Sequence, residues 1–395
     1  MDRDFNLVID RHNTNSLKYD SALSHGKAAD ILPMWVADMD FQSPLAVSRR
    51  LEEISRFGIY GYSDNQDTYF DAVTNWYQSQ FHWNAQADWI VRTPGIIFAI
   101  GAAIRALTLP GDAVMIQQPV YYPFSSIIKN NRRKKINSPL INNNGRYEMD
   151  FADIEAKIRA HHVKLFILCS PHNPVGRVWT KEELLTLGEL CLKYGVTVIS
   201  DEIHSDFVYP GHEHTVFASI SEAFAEHSII CTSPSKTFNL AGLQVSNIFI
   251  KNEVLRKRVQ AEVFATGYDE LNIFALAACE TAYREGAGWL SSLKSYLKEN
   301  LDFLRSYIKE HLPLVRLVEP EGTYLVWLDF SALSISEQER ITAIEETGKL
   351  WFDTGAMFGE EGVSFERINI ACPRTTLIEA LDRLHTAYEA MVSQR

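Results

Sequence analysis

The sequence predicts an α/β fold in which helices cover both faces of a mostly parallel sheet. Two observations carry this prediction. Short, almost continuously apolar segments alternate with longer segments of helical periodicity between about residues 89 and 250, as in parallel sheets buried on both faces. Polar clusters directly follow several of the apolar segments, and in such sheets ligands bind beyond the carboxyl ends of the strands.

Apolar runs, helix-start residues and glycine- or proline-rich breaks place the elements in chain order. Pro44 suits the first turn of a helix, because a proline there has no N–H to leave unpaired. Residues 58–63 are too rich in glycine and tyrosine for a helix and are predicted to form a loop. Helices are then predicted over 69–81, 96–107 and 181–194, and strands over 89–91, 113–117, 164–169, 195–199, 229–231 and 245–250. The last strand follows a short hairpin-like link, which makes it the one antiparallel strand.

Beyond about residue 285 the periodicity becomes helical, with a long amphipathic helix predicted over 289–312. Two strands, 322–328 and 367–371, and a closing helix, 375–391, complete a smaller α/β unit. We therefore expect a large domain of residues 45–285 and a small domain formed by both termini, residues 1–44 and 286–395.

Composition narrows the possible partners. The formal net charge of -12 argues against nucleic acid or an anionic membrane as the main partner. The basic run 132–135 is predicted to be a solvated loop or helix end. The five cysteines are scattered without a CxxC pair, which indicates free thiols in a reducing compartment. The first residues do not resemble a secretory signal, and Arg105 interrupts the best apolar stretch. A soluble, cytoplasmic protein acting on small molecules is expected.

A lysine-containing stretch, residues 233–242 (SPSKTFNLAG), follows the apolar run 229–231. A lysine just beyond a buried strand would present its amine at the mouth of a pocket. Most lysines are solvated surface residues, so Lys236 alone predicts no activity. Several other predicted strands, however, end in polar groups that would serve one chemistry together with that amine.

Pyridoxal phosphate would make such an amine useful, because its aldehyde binds a lysine covalently and its ring accepts the electrons of a carbanion. Its protonated ring nitrogen needs a buried carboxylate, which Asp201 is placed to supply, whereas Glu202 would point to the opposite side and is predicted to be structural. Asn173 could donate a hydrogen bond to the cofactor oxygen beside the aldehyde, and Tyr121 could cover the ring. Lys236, once freed by the substrate amine, would act as the general base.

The cofactor phosphate needs backbone N–H groups at the start of a helix. Gly95, Ile96 and Ile97 would provide them, with the hydroxyls of Ser233 and Ser235 nearby. The sequence therefore predicts a complete pocket for pyridoxal phosphate at one edge of the sheet.

Five motifs carry a family resemblance: PG at 94–95, YYP at 121–123, SPHNPVG at 170–176, SDEIH at 200–204 and SPSKTF at 233–238. They resemble the motifs of fold-type-I pyridoxal-phosphate enzymes, the aspartate aminotransferase superfamily, over essentially the whole chain. Arg367 resembles the arginine with which that superfamily binds the substrate α-carboxylate in a bidentate pair. The resemblance also implies that Asn173 and Ala37 lie at this carboxylate. It further implies a homodimer in which Tyr62 reaches the partner subunit's cofactor site.

Three further segments, PMWVADMDF at 33–41, DEIHSD at 201–206 and KTFNLAGLQ at 236–244, resemble the cystathionine β-lyase and cysteine C–S lyase branch. That branch implies α,β-elimination from L-cystathionine or related cysteine thioethers, which yields a thiol such as homocysteine, pyruvate and ammonia. His204 stands where aminotransferases place a tyrosine, and Gln244 where they usually place a phosphate-binding arginine. Both departures favour the lyase branch. His204, in the cofactor site, is expected to be a hydrogen-bonded supporting residue, and Tyr62 is one candidate to compensate for the missing cation.

Two other functions stay open at this point. An aminotransferase would share the chemistry up to the carbanion, and a regulatory protein could keep the fold for binding a partner, although the lysine, aspartate and arginine are all present. The sequence does not identify the physiological thioether. Candidates for lining its pocket are Trp35 (for which core packing is an equal alternative), Tyr121, Tyr122 and Tyr324. His212 and His214 lack further ligands at suitable spacing, so no metal site is predicted there.

Overall fold

The computed structural model describes residues 3–63 and 67–393. Its strands are β1 (Leu32–Pro33), β2 (Ile90–Thr93), β3 (Ala113–Ile116), β4 (Lys134–Asn137), β5 (Ile141–Asn143), β6 (Arg146–Glu148), β7 (Leu165–Cys169), β8 (Thr197–Asp201), β9 (Ser228–Thr232), β10 (Ser246–Phe249), β11 (Arg316–Val318), β12 (Leu325–Asp329), β13 (Leu350–Trp351), β14 (Asp353–Thr354) and β15 (Phe365–Asn369). Its α-helices are α1 (Leu17–Asp20), α2 (Leu45–Phe57), α3 (Asp67–Phe81), α4 (Ile96–Leu107), α5 (Pro123–Asn130), α6 (Phe151–His161), α7 (Lys181–Tyr194), α8 (Glu222–Glu226), α9 (Pro234–Thr237), α10 (Glu253–Phe264), α11 (Ile273–Glu285), α12 (Ala287–His311), α13 (Glu337–Thr342) and α14 (Arg374–Ser393).

The larger sheet has seven strands in the order β2-β10-β9-β8-β7-β3-β4. Its pairings are parallel from β9 through β8, β7 and β3 to β4, whereas β10 runs antiparallel to both β9 and β2. This confirms the predicted fold class, including its one antiparallel strand. Because the other strands run in the same direction, their carboxyl ends meet at one edge of the sheet.

Burial of both faces explains the apolar runs in the sequence. In β7, Leu165, Ile167 and Cys169 pack in one apolar cluster with α4, while Phe166 and Leu168 pack in the other cluster with α6 and α7. A strand that faces a helical layer on each side has no solvated face, so it needs no alternating polar residues.

Two predictions about this sheet need correction. The basic run 132–135 is not only a loop or helix end, because Lys134–Asn137 forms strand β4, paired in parallel with β3. Lys134 and Lys135 are exposed there, and charged side chains are common on an edge strand, where they oppose pairing with another chain. The strand predicted over 195–199 is instead β8, Thr197–Asp201, so Asp201 is its last residue rather than a loop residue.

A second sheet of four antiparallel strands, in the order β11-β12-β15-β14, lies in the carboxyl-terminal part of the chain. Strand β1 pairs in parallel with β13, which attaches the amino-terminal segment to this part. The two sheets fall in the two regions for which separate domains are predicted; the domain boundaries stay a prediction. None of the described helices combines the length and apolar character that crossing a bilayer requires. All five cysteines are buried free thiols.

Candidate active site

A cavity of about 270 Å³ opens beyond the carboxyl ends of β7, β8 and β9. Every residue predicted to bind the cofactor or the substrate carboxylate lines it except Tyr62. The predicted residues on its wall are Ala37, Gly95, Ile96, Ile97, Tyr121, Asn173, Asp201, His204, Ser233, Ser235, Lys236 and Arg367. The structure thus brings together groups that are more than 300 positions apart in the chain.

Lys236 lies in the short helix α9, which begins where β9 ends. Its Nζ donates a hydrogen bond of 2.6 Å to the carbonyl oxygen of Ala37 in the amino-terminal segment. Burial lowers the pKa of Lys236 to about 8, Asp38 opposes this shift, and the nearby Arg367 adds to it. The amine therefore gives up its proton far more readily than an ordinary lysine.

Asp201 is buried at the end of the central strand β8, between Cys169 and Cys231 on the neighbouring strands. One carboxylate oxygen accepts a hydrogen bond of 3.2 Å from the backbone N–H of Ile203. Burial raises the pKa of Asp201 to about 7, with Lys236 a smaller opposing influence. A cationic ring nitrogen facing this carboxylate would offset the cost of its burial.

The start of α4, which we call the phosphate end of the cavity, offers donors for a phosphate. Gly95 precedes the first turn of α4 without any side-chain cap, so the first N–H groups of the helix are open to a ligand. The Ser235 hydroxyl makes no hydrogen bond within the described residues. The Ser233 hydroxyl differs from the prediction: it donates to Val245 O at 2.6 Å and accepts from the Ser235 N–H. Its proton therefore binds the carbonyl just before β10, and its oxygen caps the turn that carries Lys236.

No cationic residue lies at the phosphate end among the described wall residues. Gln244, which stands where aminotransferases usually have an arginine, lines the cavity with a left-handed backbone conformation (φ 59°). It lies just before β10, whose Ser246 pairs with Thr93 near Gly95. Lys236 and Arg367 are the cationic side chains on the described wall, and both lie among the groups predicted for the ring and the substrate. The phosphate end thus relies on neutral donors.

Arg367, on β15, is buried and held by three groups. Its Nη1 donates to Asn173 Oδ1 at 2.8 Å, and its Nη2 donates to the carbonyl oxygen of Trp35 at 3.0 Å and to the carboxylate of Asp353. Its Nε is buried without a hydrogen-bond partner among the described residues. The guanidinium is thus fixed in orientation and keeps donor capacity for a carboxylate.

Asp353 was not predicted for the site. It faces Arg367 in register across the β14–β15 pair and lines the cavity. Burial raises its pKa, and the arginine opposes that shift. No sequence signal marked it, because β14 is two residues long and the pairing with Arg367 is a long-range one.

His204 is buried on the cavity wall. Its Nδ1 has no hydrogen-bond partner among the described residues, so the hydrogen bond expected of a supporting histidine is not made by this nitrogen to a described protein group. Its ring contacts Tyr324 edge-on, with ring centroids 5.8 Å apart. Burial, followed by Lys236 and Arg367, lowers its pKa to about 3. A neutral imidazole of such low basicity is a poor general base.

Glu202 points to the other side of β8, as predicted. Its carboxylate accepts hydrogen bonds from Ser200 Oγ at 2.9 Å and from Phe217 N at 3.0 Å, and it contacts His214 Nε2 at 2.9 Å. These contacts anchor the loop after β8, which is a structural role. Among the described residues no group of His, Cys, Asp and Glu is arranged to hold a metal ion.

The aromatic candidates differ in where they lie relative to the cavity. Tyr121 and Tyr122 line the cavity, whereas Tyr324 is fully buried next to it, with its hydroxyl 3.4 Å from Ala37 O. Trp35 lines the cavity and also stacks on Trp351, with ring centroids 4.4 Å apart. It is therefore both a pocket-lining residue and part of the apolar packing. Tyr62 is fully exposed and lies off the wall of its own chain's cavity.

Comparison with known proteins agrees with this geometry. A family model described as aminotransferase class I and II matches residues 33–384. Cystathionine β-lyase PatB of Bacillus subtilis is 43% identical over 97% of this chain and 99% of its own length. Among solved structures, cystalysin of Treponema denticola, which contains pyridoxal 5′-phosphate, superimposes with a TM-score of 0.95 at 38% identity, covering 99% of this chain and 100% of its own. A pyridoxal-phosphate-bound C–S lyase of Staphylococcus hominis does so with a TM-score of 0.91 at 32% identity, covering 98% of both chains.

Proposed function

The chain belongs to the aminotransferase class I and II family, and from that premise we propose that it is a pyridoxal-phosphate-dependent C–S β-lyase. It cleaves L-cystathionine or a related cysteine thioether by α,β-elimination to a thiol, pyruvate and ammonia. The observation that carries the proposal is the 43% identity, over nearly the full length of both chains, to a protein named cystathionine β-lyase.

The residues of the cavity fit the cofactor. Asp201 is a buried carboxylate that forms no ion pair with a described residue, and Lys236 supplies an amine of lowered pKa in the same cavity. Open N–H groups at the start of α4 and the Ser235 hydroxyl suit the phosphate. Asn173 Nδ2 makes no hydrogen bond within the described residues and is available to the ring oxygen, while Tyr121 would cover the ring.

When bound, pyridoxal phosphate supplies an aldehyde that captures amines and an electron-poor ring that stabilises negative charge at the substrate α-carbon. Arg367 binds the substrate α-carboxylate, aided by Asn173, and so orients the α C–H bond. Lys236 removes the α-proton as general base, which its low pKa favours at neutral pH. Asp201 keeps positive charge on the ring nitrogen. The buried walls exclude water from these charges and strengthen their interactions.

The test is an assay of the purified protein with L-cystathionine, in which pyruvate and free thiol are measured together. Equal amounts of pyruvate and thiol are expected, with loss of both in Lys236→Ala. Retained thiol release in Lys236→Ala would refute the role of the lysine. A substrate panel of cysteine thioethers, read by thiol release, then identifies the preferred leaving group.

A second candidate, an aminotransferase, is favoured by the family match itself. It would use the same arginine, lysine and aspartate but would exchange the substrate's amino group with an oxo acid instead of expelling a thiolate. Amino transfer that depends on an added oxo acid, without thiol release, would replace the lyase proposal.

We also propose that the chain acts as a homodimer in which Tyr62 completes the partner subunit's phosphate site. In support, Tyr62 is 100% exposed and lies in a segment of other exposed apolar side chains. These are Phe57 (71% exposed), Ile59 (65%) and Tyr60 (56%). Exposed apolar patches of this kind mark association surfaces. Light scattering tests the dimer. Mixing Tyr62→Phe with Lys236→Ala subunits tests the contribution across the interface, because one site of each mixed dimer would have both residues intact.

The small-molecule substrate and the acidic net charge fit a cytoplasmic protein without a nucleic-acid or membrane partner. We include a cytoplasmic location in the proposal, supported by the five buried free thiols. Fractionation of cells that express the chain tests it.

A further inference from the structure

A second cavity of about 560 Å³ lies between the loop 205–214 and helix α12. It shares no lining residue with the candidate active site. Two backbone hydrogen bonds fix its loop wall: Tyr209 N to Glu321 O at 2.9 Å and Thr323 N to Phe207 O at 2.8 Å. A cavity of this size is within the range that binds small molecules.

One wall of this cleft carries a buried carboxylate. Asp206 is 6% exposed, and its oxygens accept hydrogen bonds from Thr237 Oγ1 at 2.6 Å and Trp76 Nε1 at 3.2 Å. Both donors are neutral, and Asp206 forms no ion pair with any described residue. A buried carboxylate held only by neutral donors bears much of the cost of leaving water.

The facing helix carries a cation that pairs with no described residue. Lys294, on α12, is partly buried and makes no hydrogen bond or ion pair with any described residue, although its charge acts on Asp206. Lys298, one turn further along at the same cleft, is by contrast paired with Asp302 at 2.6 Å. Apolar side chains also line the cleft, namely Phe81, Phe207, Leu290 and Leu297, as do the exposed His212 and Glu213.

We propose that this cleft is a binding site for a small amino acid, whose ammonium group contacts Asp206 and whose carboxylate contacts Lys294. Such a zwitterion satisfies two opposite charges that do not pair with each other, adds no net charge to the cleft, and places its carbon chain on the apolar wall. A molecule with one charge would satisfy only one wall.

The cleft adjoins the back of the candidate active site. Thr237, which donates to Asp206, directly follows Lys236 in α9. An amino acid on Asp206 therefore lies one hydrogen bond from the turn that carries the lysine. The site itself does not depend on the proposed lyase activity, since neither Asp206 nor Lys294 belongs to the cofactor pocket.

Calorimetric titration of the cofactor-loaded protein with glycine, β-alanine and 4-aminobutanoate tests the proposal, with butylamine and butanoate as singly charged controls. At least one amino acid is expected to bind with a Kd in the millimolar range or tighter, and about tenfold more tightly than either control. An amino acid that binds in the cofactor pocket does not contact Lys294, so its binding would be unchanged by a Lys294 substitution, unlike binding in the cleft.

Lys294→Gln is expected to weaken the binding about tenfold, and Lys298→Gln, the matched change on the same helix, to leave it unchanged. Asp206→Asn tests the contact with the ammonium group, because the amide keeps an acceptor for Thr237 but loses the negative charge. Absence of binding up to about 20 mM overturns the proposal. So does equal weakening by both lysine variants, or binding that survives both Lys294→Gln and Asp206→Asn in proteins whose circular dichroism shows them folded.

Discussion

Asp353 and Arg367 face each other in register on β14 and β15, and the carboxylate of one contacts the guanidinium of the other inside the cavity. The arginine that we assign to the substrate carboxylate thus already carries a buried anion. The aspartate fixes the guanidinium and, at the same time, competes with the substrate for its charge. Both effects can be separated by experiment.

Asp353→Asn is expected to lower the free energy of unfolding by about 3 kcal/mol, because removing one partner leaves the other charge buried and unpaired. The same change should lower KM for amino-acid substrates, whose carboxylate then meets no competitor, while kcat falls as the guanidinium loses its fixed orientation. Chemical denaturation and steady-state kinetics measure these effects.

Glu366→Gln provides the control, since Glu366, the neighbour of Arg367 on β15, forms another buried ion pair, at 2.9 Å, with Arg340 of α13, and this pair lies outside the cavity. It should cost comparable stability and leave KM unchanged. A fall in KM in both variants would show that the Asp353 effect comes from a general loosening of the sheet.

Lys236 leads to a prediction about pH. With its pKa at about 8, about a tenth of the amines are neutral at pH 7, against fewer than about one in a thousand for an ordinary lysine. The rate at which cofactor-free protein binds pyridoxal phosphate covalently should therefore rise with pH through about 8 and level off above it. Stopped-flow absorbance follows the reaction.

Replacing two charged neighbours of Lys236 should shift its pKa in opposite directions. Asp38→Asn removes a charge that raises the pKa of Lys236, and Arg367→Gln removes one that lowers it. The midpoint of the pH profile should move down in the first variant and up in the second. Movement in the same direction would contradict the electrostatic assignment.

Asp201 should make the cofactor-free protein less stable as pH rises. Its pKa is about 7 in the folded chain and about 3.9 in the unfolded one. Below pH 4 the carboxyl is protonated in both states and costs nothing. Between about pH 4 and 7 the unfolded state ionises first, so the free energy of unfolding falls, by a few kcal/mol in order of magnitude.

Asp201→Asn should lack this component, so the difference in stability between wild type and variant should change between about pH 4 and 7 and stay constant above that range. Urea denaturation at a series of pH values measures it. A difference that does not vary with pH would show that the carboxyl is not desolvated.

Gln244→Arg should tighten binding of pyridoxal phosphate about tenfold, because it adds a charge-assisted hydrogen bond at a phosphate end that has no cation on the described wall. Binding of pyridoxal, which has no phosphate, should not change. Equilibrium dialysis of both ligands gives the comparison, and equal gains for both would place the new arginine away from the phosphate.

The sequence predicted the parts of the site that lie at strand ends. Asp201, Asn173 and Lys236 each follow or end an apolar run, and a parallel sheet brings such positions together whatever the details of the loops. The same logic placed the open N–H groups of Gly95, Ile96 and Ile97 at a helix start. Local signals were sufficient for these residues.

Contacts that depend on distant parts of the chain could not be predicted from local sequence patterns. The Ser233 hydroxyl turns to the carbonyl of Val245 because β10 returns antiparallel beside β9, and no local pattern locates that carbonyl. Asp353 reaches Arg367 through a strand of two residues. The surroundings of His204, whose buried Nδ1 has no hydrogen-bond partner among the described residues, likewise depend on long-range packing and not on its spacing from Asp201.

The short pairing of β1 with β13 has a consequence for biosynthesis. The segment it anchors supplies the carbonyl of Trp35 to Arg367 and that of Ala37 to Lys236. A nascent chain therefore cannot complete its pocket until Trp351 and, after it, Arg367 have emerged from the ribosome, however early the seven-stranded sheet forms. Trimming the first forty residues would remove no strand of that sheet, but it would remove the carbonyl that binds Lys236 and one of the three groups that hold Arg367.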